Sequence, residues 1–203
     1  MPWNGAAVLS TMRSVACLRR SSRNGTIAAN TTSKMIKEWM MSQSRKAVYP
    51  FSVETAMKYF TDADYVRTKY AALGAEDVEL KPVEKTGSTI IIANERSVPV
   101  EVPTFAKKFI SPMSKVSQKD TYQKSGDGYE GDWRIDMKGA PVVASGKIRL
   151  MPTADGKGCE HEVSADIEVS VPLVGKKIAA ALIGDTLDAV EAELAYNKAN
   201  IPA

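Results

Sequence analysis

The chain has 203 residues, 44% of them hydrophobic and 25% charged, which fits one globular domain with a tail and a core that needs no covalent staples. Two cysteines, Cys17 and Cys159, and one histidine, His161, exclude a disulfide framework and a Cys/His zinc site and suit a reducing compartment. The net charge of +3 is uneven: residues 1–37 hold six basic residues (Arg13, Arg19, Arg20, Arg23, Lys34, Lys37) and no acid, so the remainder carries 21 basic against 24 acidic residues, a net of −3. A mildly acidic domain without a basic stripe excludes nucleic acid as its partner.

Residues 1–42 read as a leader. The segment is rich in Ser, Thr, Asn, Ala and Gly, has no sustained periodicity, and is expected to be disordered. It lacks the apolar run of a secretory signal. Two readings stay open: an organelle transit peptide, or sequence upstream of a later start at Met35, Met40 or Met41. The domain is expected over 43–200, with a cytoplasmic location and organelle import as the lesser alternative.

Arg45–Phe51 alternates and is rich in Val, Tyr and Phe, so it is expected to be a strand, with Pro50 closing it or sitting on an edge. Ser52 is a good N-cap for a short helix, Val53–Phe60. Thr61 or Asp62 caps a second through about Tyr70, and Gly74 ends it. Glu76–Val83 and Ser88–Arg96 are strand-like and joined by a turn at Gly87. Pro99 and Pro103 break the rhythm of 98–110, which reads as a short or distorted strand followed by one helical turn. Ser114–Lys124 resumes a strand.

The run SGDGYEGDW (125–133) matches G-x-G-x-x-G. A dinucleotide loop must open a helix at the pyrophosphate, whereas a strand follows here and Asp127 and Glu130 would repel phosphate. The run therefore reads as a hairpin turn. Tyr129, Gly131, Trp133, Ile135 and Met137 then alternate with charged residues. Val142, Ala144, Gly146, Ile148 and Leu150 form the apolar face of the next strand. After a turn at Asp155–Gly158, Cys159, His161, Val163, Ala165, Ile167, Val169 and Val171 form that of the last. Strands with one apolar and one charged face make an antiparallel sheet with one wet side, and its dry side must be covered.

The cover is Pro172–Asn197. Val174, Ile178, Leu182, Ile183, Leu187, Val190 and Leu194 recur at helical spacing. Lys176, Lys177, Asp188, Glu191 and Glu193 fall mostly between them. Pro172 is placed at the helix entry. Ala179, Ala180, Ala181 and Gly184 thin the middle, where the sheet approaches closely or room is left. The helix is too polar to span a membrane.

Polar residues on the dry faces are the informative exceptions. Gln118 and Asp120 share a face with Val116 and Tyr122, and His161 lies on the apolar side of the last strand. Tyr129 and Trp133 combine an apolar body with a polar handle. With Ile135, Ile148, Val163, Ile178 and Leu182 they are the expected lining of an apolar cavity holding a few orienting polar groups. A one-residue slip would turn Gln118 and Asp120 to solvent, and core packing is the plain alternative for His161 and Trp133. No Ser-His-Asp, Cys-His or paired-carboxylate set is identifiable, so no catalytic residue, metal or cofactor is assigned. Lys107-Lys108 beside Phe105 and Phe109 reads either as a solvated face or as a lip for transient membrane or partner contact.

The segments YPFSVETAMKYFTDADYVRTKY (49–70), VPTFAKKFI (102–110), VSQKDTYQ (116–123), GDWRIDMKGAPVVASGKIRL (131–150) and VSVPLVGKKI (169–178), in this order, resemble the START-like, Bet v 1-like (SRPBCC) helix-grip superfamily, and within it the DUF2505 family of unknown function. The resemblance covers about residues 43–198. It implies an α+β fold, a curved antiparallel sheet of about six to seven strands wrapped around the long C-terminal helix, with two short helices after the first strand. It also implies a cavity for an apolar small molecule such as a lipid, polyketide or isoprenoid. A cyclase/aromatase-type enzyme, or a protein-interaction module using 98–110, are the alternatives. Many relatives carry a Glu early in the final helix where this chain has Ala179, so that helix-borne carboxylate is missing here.

Overall fold

The computed structural model describes residues 43–203; the expectations for the leader lie outside them. The chain runs β1 (Ser44–Tyr49), α1 (Val53–Phe60), α2 (Ala63–Ala72), β2 (Glu76–Leu80), β3 (Glu84–Thr86), β4 (Thr89–Pro99), a 3-10 turn (Thr104–Ala106), β5 (Met113–Ser125), β6 (Gly128–Met137), β7 (Val142–Pro152), β8 (Cys159–Ser164), β9 (Asp166–Val169) and α3 (Gly175–Asn200). The strands form one open, curved antiparallel sheet in the order β1-β8-β7-β6-β5-β4-β2, with β3 also on β4 and β9 also on β7.

Both short helices start where their caps dictate. Ser52 accepts a hydrogen bond from the Thr55 amide. Asp62 does the same for Tyr65 at 2.7 Å, satisfying donors that a helix start leaves free. Gly74 takes φ +85 beyond α2. The 125–133 run is a hairpin: Ser125 pairs with Gly128, and Gly126 supplies φ +56 at the turn.

The sheet has nine strands rather than six or seven because the last expected strand is divided into β8 and β9, and because β3 forms beyond the expected Glu76–Val83, which itself stops at Leu80. Pro82, with no N–H to give, lies between β2 and β3. The register of β7 continues unbroken from β8 (Ile148↔Val163) to β9 (Ala144↔Ile167), yet the ladder lapses between them. Trp133 Nε1 donates to the Ser164 carbonyl at 2.8 Å. The Lys147 amide donates to Ser164 Oγ at 2.9 Å. The Ala165 amide donates to the Gln43 carbonyl at 3.0 Å. Gly146 sits opposite Trp133; a Cβ there would overlap the Ser164 carbonyl and come within 2.7 Å of the indole nitrogen, so only glycine admits that reach.

The final helix begins three residues later than its pattern suggests. Pro172 precedes it, exposed Leu173 takes φ +67, and Gly175 opens α3. A Cβ on Gly175 would overlap the Val169 carbonyl, which fixes how closely the helix start approaches β9. Leu187 and Leu194, with Ile183 and Val190, pack against Ile92, Tyr122, Trp133 and Ile148 of the sheet. Ile178 and Leu182 pack in a second cluster with Ala106, Ile110 and Val142. The 98–110 segment therefore caps the first turns of α3. Ala180, Ala181 and Gly184 are exposed, so the thin stretch of the helix faces outward.

Candidate functional site

A cavity of about 250 Å³ lies between the sheet and the second half of α3. Trp133, Ile135, Ile148 and Val163 form its sheet wall, with Val190 and Leu194 opposite. Exposed Pro99, Ala189 and Ala192 mark its rim. Ala189 and Ala192, not the alanines near residue 180, are the small helix residues beside the space. Of the residues expected there, Gln118, Asp120, Tyr122, Trp133, Ile135, Ile148, His161 and Val163 line the cavity. Three lie elsewhere. Ile178 and Leu182 belong to the second cluster, because α3 carries their face past β9 before it reaches the cavity. Tyr129 packs edge-on against Tyr122, ring centroids 6.4 Å apart, near the hairpin end of β6.

One wall is polar, and four elements build it. Inward positions of β4 are Ile92, Asn94 and Arg96; those of β5 are Val116, Gln118, Asp120 and Tyr122. Arg96 is 6% exposed. It lies 3.9 Å from the Tyr70 ring centre, donates to Asn94 Oδ1, and donates to Gln118 Oε1 at 2.7 Å. Gln118 Nε2 in turn donates to both Asp120 oxygens, at 2.9 and 3.1 Å. From α2, Lys69 donates to Glu193 Oε1 of α3 at 2.6 Å. Beside it, Tyr65 donates to Asn197 Oδ1 at 2.9 Å. The two helices are thus joined by charge as well as by packing.

The electrostatics follow from burial. Burial pushes the Asp120 carboxyl up to about 6, against the lowering by Gln118, Lys69 and Arg96. Burial would also raise Glu193, but the Lys69 ammonium outweighs it and holds that carboxyl below its ordinary range. Burial works against the Lys69 charge, and Glu193 more than restores it. Tyr70 is pushed up to about 12, chiefly by burial. His161 is pulled down to about 4 by burial, so its ring is neutral at pH 7. Its Nδ1 lies 3.2 Å from the Tyr49 hydroxyl, and its Nε2 is buried with no hydrogen-bond partner.

Sequence reasoning missed Lys69, Arg96 and Glu193. Arg96 was legible: it shares the β4 face of Ile92 and Asn94 at period 2. Glu193 follows Val190 by three residues, so the apolar stripe does contain it, contrary to its placement among the outward charges. A carboxylate on the final helix, missing at Ala179, is therefore present about four turns later. Lys69 carries no signal of its own, since its partner is 124 residues away. Among the described residues no group of three or more His, Cys, Asp or Glu is placed to hold a metal ion, and no helix is long and apolar enough to cross a membrane.

A family model described as a protein of unknown function (DUF2505) matches residues 44–199. No curated protein matches the chain. Among solved structures, TTHA0849 from Thermus thermophilus is similar at TM-score 0.53 and 12% identity, over 78% of this chain and 94% of that one. The Zhui aromatase/cyclase from Streptomyces sp. R1128 is similar at TM-score 0.51 and 12% identity, over 79% and 94%. At these identities the likeness is one of fold.

Proposed function

The chain belongs to the DUF2505 family and has the helix-grip fold, and from that premise we propose that it binds or carries an apolar small molecule, lipid-, polyketide- or isoprenoid-like, between sheet and α3. The observation that carries this reading is the cavity itself: about 250 Å³ walled by Trp133, Ile135, Ile148, Val163, Val190 and Leu194, with polar groups gathered on one side. Burying apolar ligand surface there is favourable at roughly 25 cal/mol per Å², and the polar wall fixes orientation.

Native mass spectrometry of freshly purified protein, followed by thermal unfolding across a panel of lipids and polyketide-like compounds, tests the reading. A ligand at 100 times its Kd adds about 2.7 kcal/mol to native stability, roughly 5–10 °C for a domain of this size. Val190→Trp, which fills the space from the helix side, abolishes that shift. No added mass and no shift across the panel would refute the reading.

A second reading, an acid–base enzyme acting on the bound molecule, is favoured by Asp120: its carboxyl is pushed up to about 6 at the cavity wall, near the range of a working acid or base. Turnover of an aromatic or polyketide substrate that disappears in Asp120→Asn would establish it.

A further inference from the structure

Most donors of the polar wall are engaged, the Tyr122 hydroxyl and the unpartnered His161 Nε2 of β8 apart, while Asp120 keeps acceptor capacity. Arg96 donates to Asn94 and Gln118, Gln118 to Asp120, and Tyr70 to Gln118 at 3.4 Å. Lys69 donates to Glu193, Trp133 to the Ser164 carbonyl, and Thr186 to the Leu182 carbonyl. Each Asp120 oxygen receives one hydrogen bond, both from the same amide, and a carboxylate accommodates about four. Asp120 is only partly buried, because the cavity it faces admits solvent. The Tyr122 hydroxyl, two residues along the same face of β5, makes no hydrogen bond among the described residues. It can accept as well as donate.

Charge narrows the choice further. Two cations, Lys69 and Arg96, face two carboxylates, Asp120 and Glu193, so the wall is neutral when all four are ionised. A ligand carboxylate would bring a third negative charge beside Asp120, and the ligand's own apolar body would displace the water that screens it. An alkylammonium would bring a third positive one beside Arg96 and Lys69. Either imbalance is costly where charges are desolvated. A hydroxyl offers the missing donor, accepts one bond, and leaves the balance untouched.

Resting on the binding reading above, we propose that the cavity selects uncharged apolar molecules bearing a hydroxyl, an alcohol or phenol, which donates to the Asp120 carboxylate and accepts from Tyr122. The selectivity is a matter of donor and acceptor pairing rather than of shape. A ligand offering only a carbonyl or ester leaves Asp120 unanswered. A hydrocarbon leaves both groups unanswered.

The choice has a pH signature. Asp120 is faced by Gln118 and Tyr122 on β5, Arg96 on β4, Lys69 and Tyr70 on α2, Glu193 on α3 and His161 on β8. Hydroxyl donation favours the ionised carboxylate, so the bound state holds Asp120 below its unliganded value of about 6. Alcohol affinity is therefore fully present above pH 6 and weakens as the pH falls below it. A fatty acid would behave oppositely: protonation of Asp120 removes a repulsion, so its binding tightens on acidification.

The test is displacement of N-phenyl-1-naphthylamine from the full chain by 1-decanol, decanoic acid, decylamine and decane, from pH 5 to 8. The expected result is that 1-decanol displaces the dye at a concentration at least tenfold below the other three at pH 7.5. Its advantage shrinks towards pH 5. It is lost in Asp120→Leu and reduced several-fold in Tyr122→Phe, which keeps the ring and removes only the hydroxyl. Thermal unfolding shows whether each variant is folded; should Asp120→Leu fail to fold, Tyr122→Phe and the pH profile still decide. Equal displacement by all four would overturn the hydroxyl preference while leaving the cavity reading intact. Decanoic acid binding tightest, and more tightly at pH 5, would overturn it in favour of an acid ligand. Failure of the dye and of every probe to bind would overturn both.

Discussion

Asp120 and His161 oppose one another as the pH falls, and removing either exposes the other. The Asp120 carboxyl is raised from 3.8 to about 6, so between those values the native state holds a proton that the unfolded chain has released. Acidification through that window stabilises the native state relative to the unfolded one. His161 is lowered from 6.5 to about 4. Its native ring stays neutral while the unfolded chain takes up a proton, so acidification from 6.5 to 4 destabilises. Each displacement is roughly two pH units, and at about 1.4 kcal/mol per unit each is worth about 3 kcal/mol. In the wild type the two nearly cancel. Urea unfolding at half-unit steps from pH 4 to 7 reads the imbalance, each variant being compared with wild type so that acid loss from other carboxylates drops out. Relative to wild type, Asp120→Asn loses about 3 kcal/mol between pH 6 and 4, because His161 then acts alone. His161→Phe gains a similar amount over the same interval. Variants whose profiles run parallel to wild type would refute the assignment of these two groups as oppositely displaced by their surroundings.

The buried end of the Lys69–Glu193 pair makes a second prediction. Lys69→Met leaves Glu193 without its cation and costs about 3 kcal/mol in urea unfolding, while Lys69→Met with Glu193→Leu recovers most of the loss; additive single-variant costs would contradict a coupled pair. Gly146→Ala drives a methyl into the Ser164 carbonyl and the Trp133 indole and destabilises by about 2–3 kcal/mol, as overpacking does, which chemical denaturation measures. Cys159 is fully buried and its thiol is pushed up to about 12 by burial. Iodoacetamide at pH 8 therefore leaves it unmodified in the native chain and labels it once urea has unfolded the protein, as peptide mass spectrometry reports.

The helix caps and the hairpins were legible because their causes are local. Ser52 and Asp62 act on amides three residues away, and Gly87 and Gly126 adopt a φ that other residues resist. The dry faces of β5 to β8 were legible because side chains alternate strictly along a strand. The division of the last strand was not, because it depends on Trp133, 31 residues distant, capturing the Ser164 carbonyl. The start of α3 was misplaced for a similar reason: Gly175, not Pro172, permits the close approach to Val169.

What the sequence by itself determined is the period of each element and the residue types on each dry face, hence an antiparallel sheet that needs one long helix to cover it. These are short-range consequences of backbone geometry and burial. Tertiary structure alone decided which inward residues face empty space and which face other atoms. It alone decided that Lys69, Arg96, Asp120 and Glu193, drawn from four elements, share one wall. Periodicity places a side chain on a face, but only the curvature of the sheet and the rotation of α3 bring faces together, and charge pairs across that distance leave no mark in the local pattern.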